Sequence, residues 1–96
     1  PDAELIAIQL EYFEKIYSET GKEFMRRSQE SRGVQRLNEK SWAMQCFKDL
    51  LNQLSSLENE LKGDESLQAR YANPVNPIKA LKARSQLDLD SFNPAG

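Results

Sequence analysis

The side chains in this sequence that could do chemistry are carboxylates at helical spacing, one cysteine and a group of arginines. Glu11, Glu14, Glu19 and Glu23 fall in the first quarter of the chain, and the last two are four residues apart. Paired carboxylates can act in acid–base catalysis or hold two metal ions, but helical two-metal sites also use Glu-x-x-His elements. Because the chain has no histidine, we interpret these carboxylates as a solvated helix face.

Other patterns for catalysis or ligand binding are missing from the sequence. With no histidine and only Cys46, the usual ligands of zinc and haem are lacking. The acidic pairs Asp64-Glu65 and Asp88-x-Asp90 do not follow the calcium-loop pattern, and the glycines are too scattered for a phosphate-binding loop. We expect Cys46 to be a buried, inert thiol. The sequence predicts no enzyme, and no catalytic, metal-binding or cofactor-binding residues.

Arginines concentrate between the two longest helical patterns. Residues 22–40 carry six basic and three acidic side chains, although the whole chain has a formal charge of −2. A basic tip can contact phosphates, which makes four residues candidate anion or nucleic-acid contacts: Arg26, Arg27, Arg32 and Arg36. The segment has few aromatic residues for base stacking and matches no nucleic-acid-binding motif. Solvation or ion pairing of these arginines is therefore the favoured interpretation.

A first long helix is predicted over residues 3–28. Its apolar residues fall on two adjacent flanks, one with Leu5, Ile8, Tyr12 and Ile16 and the other with Ile6, Phe13, Tyr17 and Phe24. Together the flanks are wider than the seam between two helices requires, so more than one neighbour should cover them. Gly21 interrupts the pattern and predicts a kink, a close helix crossing or a break.

A second long helix is predicted over residues 39–62. Its apolar side chains recur at intervals of three and four residues, at Phe47, Leu50, Leu54, Leu57 and Leu61. Asn38 is a suitable N-cap, and Leu37 and Trp42 have the spacing of a hydrophobic staple. This helix needs an apolar partner along its whole length.

The remaining segments are predicted to be short. The connection between the long helices covers residues 28–37, and short helices are expected over 64–72 and 77–86, followed by a flexible tail over 88–96. Because good helix formers dominate and β-branched residues are few, the fold class is all-α. We predict one domain over residues 1–87, a long antiparallel helical hairpin with one or two short C-terminal helices forming a small bundle.

The function predicted from these patterns is a non-enzymatic helical protein–protein interaction module, an adaptor or small assembly subunit. Its partner would be another protein or a second copy, the latter giving a dimeric four-helix bundle. The alternative is a small dimeric nucleic-acid-binding regulator that uses the basic tip. The residues expected to contact a partner are Trp42, Met44, Phe47, Leu50, Leu54, Leu57, Leu61 and Ile78. The absence of a membrane-spanning run, a leader or a cysteine pair predicts a cytoplasmic location.

Overall fold

A computed structural model describes residues 3–63 and 75–92, and this part of the chain is helical and contains no strand. The elements in chain order are α1 (Ala3–Lys15), a π-helical segment (Ile16–Gly21), α2 (Lys22–Glu30), α3 (Gly33–Lys62) and α4 (Val75–Ser91). Lys15 and Lys22, on either side of the π-helical segment, both have right-handed helical backbone angles. Residues 3–30 therefore form one continuous helix. The prediction of an all-α fold is confirmed.

Gly21 lies where the first helix packs against Phe47 of α3. It is buried, and a Cβ atom built on it would lie 2.6 Å from Cε1 of Phe47. The aromatic ring thus fills the space that any side chain at this position would need. Of the three roles predicted for Gly21, the structure shows the close crossing and no break in the helix.

The connection between α2 and α3 is much shorter than the predicted residues 28–37. Only Ser31 and Arg32 lie between the helices, and both have extended backbone angles. Gly33 then starts α3 with a φ of 63°, which glycine adopts without strain. The Nε of Arg36 donates to the carbonyl oxygens of Ser28 and Ser31, at 3.0 and 2.8 Å. These bonds satisfy acceptors at the end of α2 and allow the tight connection.

Because the connection is short, the predicted start of the second long helix at Asn38 is also wrong. Since α3 already begins at Gly33, Asn38 lies inside the helix and is exposed. Leu37 is 65% exposed and does not form the predicted staple. The indole of Trp42 packs instead against Phe24, with ring centroids 5.4 Å apart.

The C-terminal helix is longer than the predicted residues 77–86, so the expected flexible tail was wrong over residues 88–91. Asp88 accepts a hydrogen bond from the hydroxyl of Tyr17. Directly after the helix, the ring of Phe92 lies 6.3 Å from that of Phe47. The predicted helix over 64–72 and the end of the tail lie outside the described residues.

The core lies between α3 and the other helices. Its buried apolar residues are Ile6 and Phe13 of α1, Ala43, Phe47, Leu50, Leu54, Leu57 and Leu61 of α3, and Ile78 and Leu81 of α4. Where α2 meets α3, Phe24 contacts Trp42 and the later residue Ser28 contacts the earlier residue Arg36. Where α3 meets α4, Phe47 likewise contacts Phe92, and the later residue Glu58 contacts the earlier residue Lys82. The spacing of apolar residues along α3 is therefore used for packing within the chain.

Candidate protein-interaction surface

Six of the eight residues predicted to contact a partner lie in the core of the chain itself. They are at most 4% exposed: Phe47, Leu50, Leu54, Leu57, Leu61 and Ile78. Ile78 was expected at a contact edge, but it is fully buried because α4 packs against α3. The other two predicted contacts reach the surface, since Trp42 is 54% exposed and Met44 is half-buried. The leucine stripe of α3, which consists of Phe47, Leu50, Leu54, Leu57 and Leu61, is thus not a surface of the folded chain.

A different apolar stripe is exposed on α1. Leu5, Ile8 and Tyr12 are 54%, 57% and 59% exposed, and their spacing of three and four residues places them on one helix face. The adjacent flank of the same helix, with Ile6 and Phe13, is buried in the core. The sequence indicated both flanks, but in the structure Leu5, Ile8 and Tyr12 of the first flank remain exposed, whereas its fourth member, Ile16, is half-buried. The first was not among the predicted contacts, although its periodicity is plain in the sequence.

A groove lies beside this stripe and reaches Trp42. Its volume is about 410 Å³, and it is lined by Ile16, Phe24, Trp42, Gln45, Cys46, Asp49, Leu50 and Gln53. Ile16 follows Tyr12 by four residues, so it belongs both to the stripe and to the groove. We define the apolar face as this combined surface, represented by Leu5, Ile8, Tyr12, Ile16 and Trp42.

Trp42 is held in place at one end of the apolar face. Its indole rests on the ring of Phe24, and the guanidinium of Arg27 lies 5.5 Å from the centre of that ring. A half-exposed aromatic residue that already packs against a neighbouring ring has less conformational freedom to lose when a partner covers it. Trp42 therefore has the properties of an anchor for association.

Cys46 lines the same groove and is half-buried, less covered than we expected. Its Sγ lies 3.9 Å from the backbone oxygen of Ile16. Burial, and to a smaller degree the carboxylate of Asp49, raise the pKa of the thiol. Because the thiolate is the reactive form, this environment makes Cys46 a poor nucleophile near neutral pH.

Two of the four arginines predicted to contact anions are paired with carboxylates on their own helix. Arg26 donates to Glu23 at 2.8 Å and to Glu30 at 2.9 Å, and Arg27 donates to Glu23 at 3.1 Å. The bonds from Arg26, followed by those from Arg27, lower the pKa of Glu23 to about 2. The arginines are exposed, so the pairs add little to stability, but they reduce the positive charge offered at the tip.

The other two arginines of the basic tip differ from each other. Both are exposed, but Arg36 donates to backbone oxygens at the end of α2, whereas the side chain of Arg32 makes no hydrogen bond or ion pair within the described residues. Three of the four candidate anion contacts are therefore engaged inside the chain. The nucleic-acid alternative gains no support from this arrangement.

A polar cluster joins α4 to the π-helical segment. The hydroxyl of Tyr17 donates to Oδ2 of Asp88, and the ammonium of Lys22 lies 3.4 Å from the other carboxylate oxygen. The guanidinium of Arg84 lies 5.3 Å from the centre of the Tyr17 ring and donates to Glu14 at 2.6 Å. Burial and the hydrogen bond to Asp88 raise the pKa of Tyr17 from 10.0 to about 12.

This pKa predicts that part of the stability is lost in alkali. The folded chain retains the phenol proton of Tyr17 at pH values where the unfolded chain releases it. The contribution is therefore fully present below pH 10 and falls as the pH rises to about 12. A Tyr17→Phe variant should lack this part of the decline in the free energy of unfolding. Urea unfolding at several pH values measures the difference. Equal declines in both proteins would contradict the role of Tyr17.

Residues 3–63 and 75–92 contain no group of three or more histidine, cysteine, aspartate or glutamate side chains arranged to hold a metal ion. Among the helices described, none has the length and apolar character needed to cross a membrane. In comparisons with known proteins, no family model, curated protein or solved structure matches the chain.

Proposed function

We propose that the chain is a non-enzymatic helical protein–protein interaction module and that the apolar face is its contact surface. The observation that carries the proposal is the exposure of Leu5, Ile8 and Tyr12, each more than half exposed on one side of α1. Single apolar residues on a surface are ordinary, but a stripe that continues into a groove with an exposed tryptophan is typical of association sites. The helices would form a small bundle that presents this face.

The mechanism would be burial of the face against a partner. Removing apolar surface from water contributes about 25 cal/mol per Å². A face of a few hundred Å² would therefore supply several kcal/mol, from which the entropy lost on association is subtracted. Next to the stripe, the other flank of α1 joins the core through Ile6 and Phe13.

Position-specific photo-crosslinking in cells that produce the chain tests this proposal. A photoreactive phenylalanine analogue would replace Tyr12 in one variant and Lys48 in a matched control. Lys48 is exposed and lies about 200° around α3 from the buried Leu50, on the side opposite the core. We expect protein adducts at position 12 at several times the yield at position 48. Equal yields at the two positions would contradict the proposal.

A further inference from the structure

We infer that the α1 part of the apolar face binds a second copy of this chain, with the two α1 helices packed antiparallel. This inference rests on the proposed function and adds the identity of the partner. The support for it is the order of apolar and charged residues along α1. When two copies of this helix run antiparallel, apolar residues meet apolar residues and acidic residues meet basic ones.

The apolar stripe of α1 is close to symmetric about its middle, with intervals of three, four and four residues. When two copies are placed antiparallel with Ile8 opposite Tyr12, Leu5 of one copy comes within one residue, about 1.5 Å along the axis, of Ile16 of the other. A two-fold dimer requires this reciprocity, since each contact must occur twice with the roles of the chains exchanged. A parallel arrangement would instead place each residue beside its own copy and bring like charges together.

The charges beside the stripe favour the same register. At about 100° per residue, Glu4 and Lys15 lie within about 20° of each other around the helix, on one flank of the stripe. Within the described part of the chain neither makes an ion pair, and Lys15 is exposed. In the antiparallel pair, Glu4 of each copy lies beside Lys15 of the other, at both ends of the interface. Glu11 lies on the same flank near the two-fold axis, so its charge opposes association slightly.

The interface would be small. From Leu5 to Ile16 the helix extends about 16 Å, and a single helix pair of this length buries less than the roughly 800 Å² per partner of a stable complex. The association should therefore be weak and depend on concentration. At one end of the pair, Leu5 of the second copy would lie beside Ile16 and thus at the mouth of the groove.

Sedimentation equilibrium of charge variants over a wide concentration range tests this inference. We expect the wild-type chain to reach the mass of two chains at high concentration. Glu4→Lys or Lys15→Glu alone should each weaken the dimer by up to about tenfold, because each change turns two attractive contacts into two repulsive ones. The double variant should recover the wild-type dissociation constant. Circular dichroism would verify that all variants keep their helix content.

Three outcomes would overturn the second copy as partner. They are a mass of one chain at every concentration, a dimer that the single changes do not weaken, and weakening that the double variant does not reverse. The failure of this inference is distinguishable from failure of the proposed function. A chain that stays monomeric but forms protein adducts preferentially at Tyr12 binds a different protein through the same face. Equal adduct yields at Tyr12 and Lys48 would remove the function itself.

Discussion

Replacing Leu54 with Asp is expected to unfold the chain. Leu54 is completely buried in the middle of α3. Truncating a buried leucine removes about 2–5 kcal/mol, and an unpaired carboxylate in the same place adds a further desolvation cost of several kcal/mol. Small domains have a total stability near the lower end of about 5–15 kcal/mol. Far-ultraviolet circular dichroism should therefore show loss of helix without denaturant.

The neighbouring residue provides a matched control for this change. Gln53 is exposed and lies at the rim of the groove, so Gln53→Asp introduces the same charge on the same helix without entering the core. Its effect on the free energy of unfolding should stay within about 0.5 kcal/mol. If the Leu54→Asp variant unfolded at the same urea concentration as the wild type, the core assignment would be wrong.

The second large effect is expected at Gly21. An alanine there would place its Cβ 2.6 Å from Cε1 and 3.0 Å from Cζ of Phe47. The ring is fully buried, and its neighbours are the rings of Tyr17 and Phe92 at 5.9 and 6.3 Å. Overpacking of this kind costs about 1–3 kcal/mol, against a gain of about 1 kcal/mol from the higher helix propensity of alanine. We expect a net loss of up to about 2 kcal/mol, measured by urea unfolding.

A double-mutant cycle separates the steric cause from the propensity of alanine. In a Phe47→Leu background the space beside Gly21 is released, so Gly21→Ala should become neutral or stabilising. Gly63→Ala is a useful control, because a Cβ at that position would meet only atoms at 3.4 Å or more. A Gly21→Ala change that has the same effect in both backgrounds would show that the close crossing does not limit packing.

The helical class and the buried stripe of α3 could be predicted from the sequence, because periodicity and propensity are local properties. The short connection could not. It depends on Gly33 adopting a positive φ and on Arg36 reaching backward to carbonyl oxygens of Ser28 and Ser31. Neither contact leaves a signal in the local sequence, and the polar composition of residues 28–37 by itself predicts a long loop.

The full length of α4 could not be predicted either, because it depends on contacts with residues that are distant in the sequence. Asp88 and Leu89 belong to an alternating polar–apolar run that suggested a tail. In the structure Asp88 is satisfied by Tyr17 and Lys22, which are 71 and 66 residues away in sequence. A contact at that separation leaves no signal in the local pattern.

The candidate surface, too, could be predicted only in part from the sequence. The two flanks of the first helix are similarly apolar in sequence, and the packing of α3 and α4 decides which of them is covered. Ile6 is buried whereas Leu5, its neighbour, is exposed. The residues that remain available to a partner are thus those that the helix core does not use, and they differ from the contacts expected from the leucine stripe.

The ratio of crosslinking yield at Tyr12 to that at Lys48 decides whether the apolar face is a contact surface. Both positions are exposed in the folded chain, so a difference between them reports a partner and not accessibility alone. A surface used for association predicts a ratio well above one, with adducts whose mass identifies either a second copy or another protein. A ratio of one, in cells where the chain is folded, would contradict the assignment of the apolar face as a contact surface.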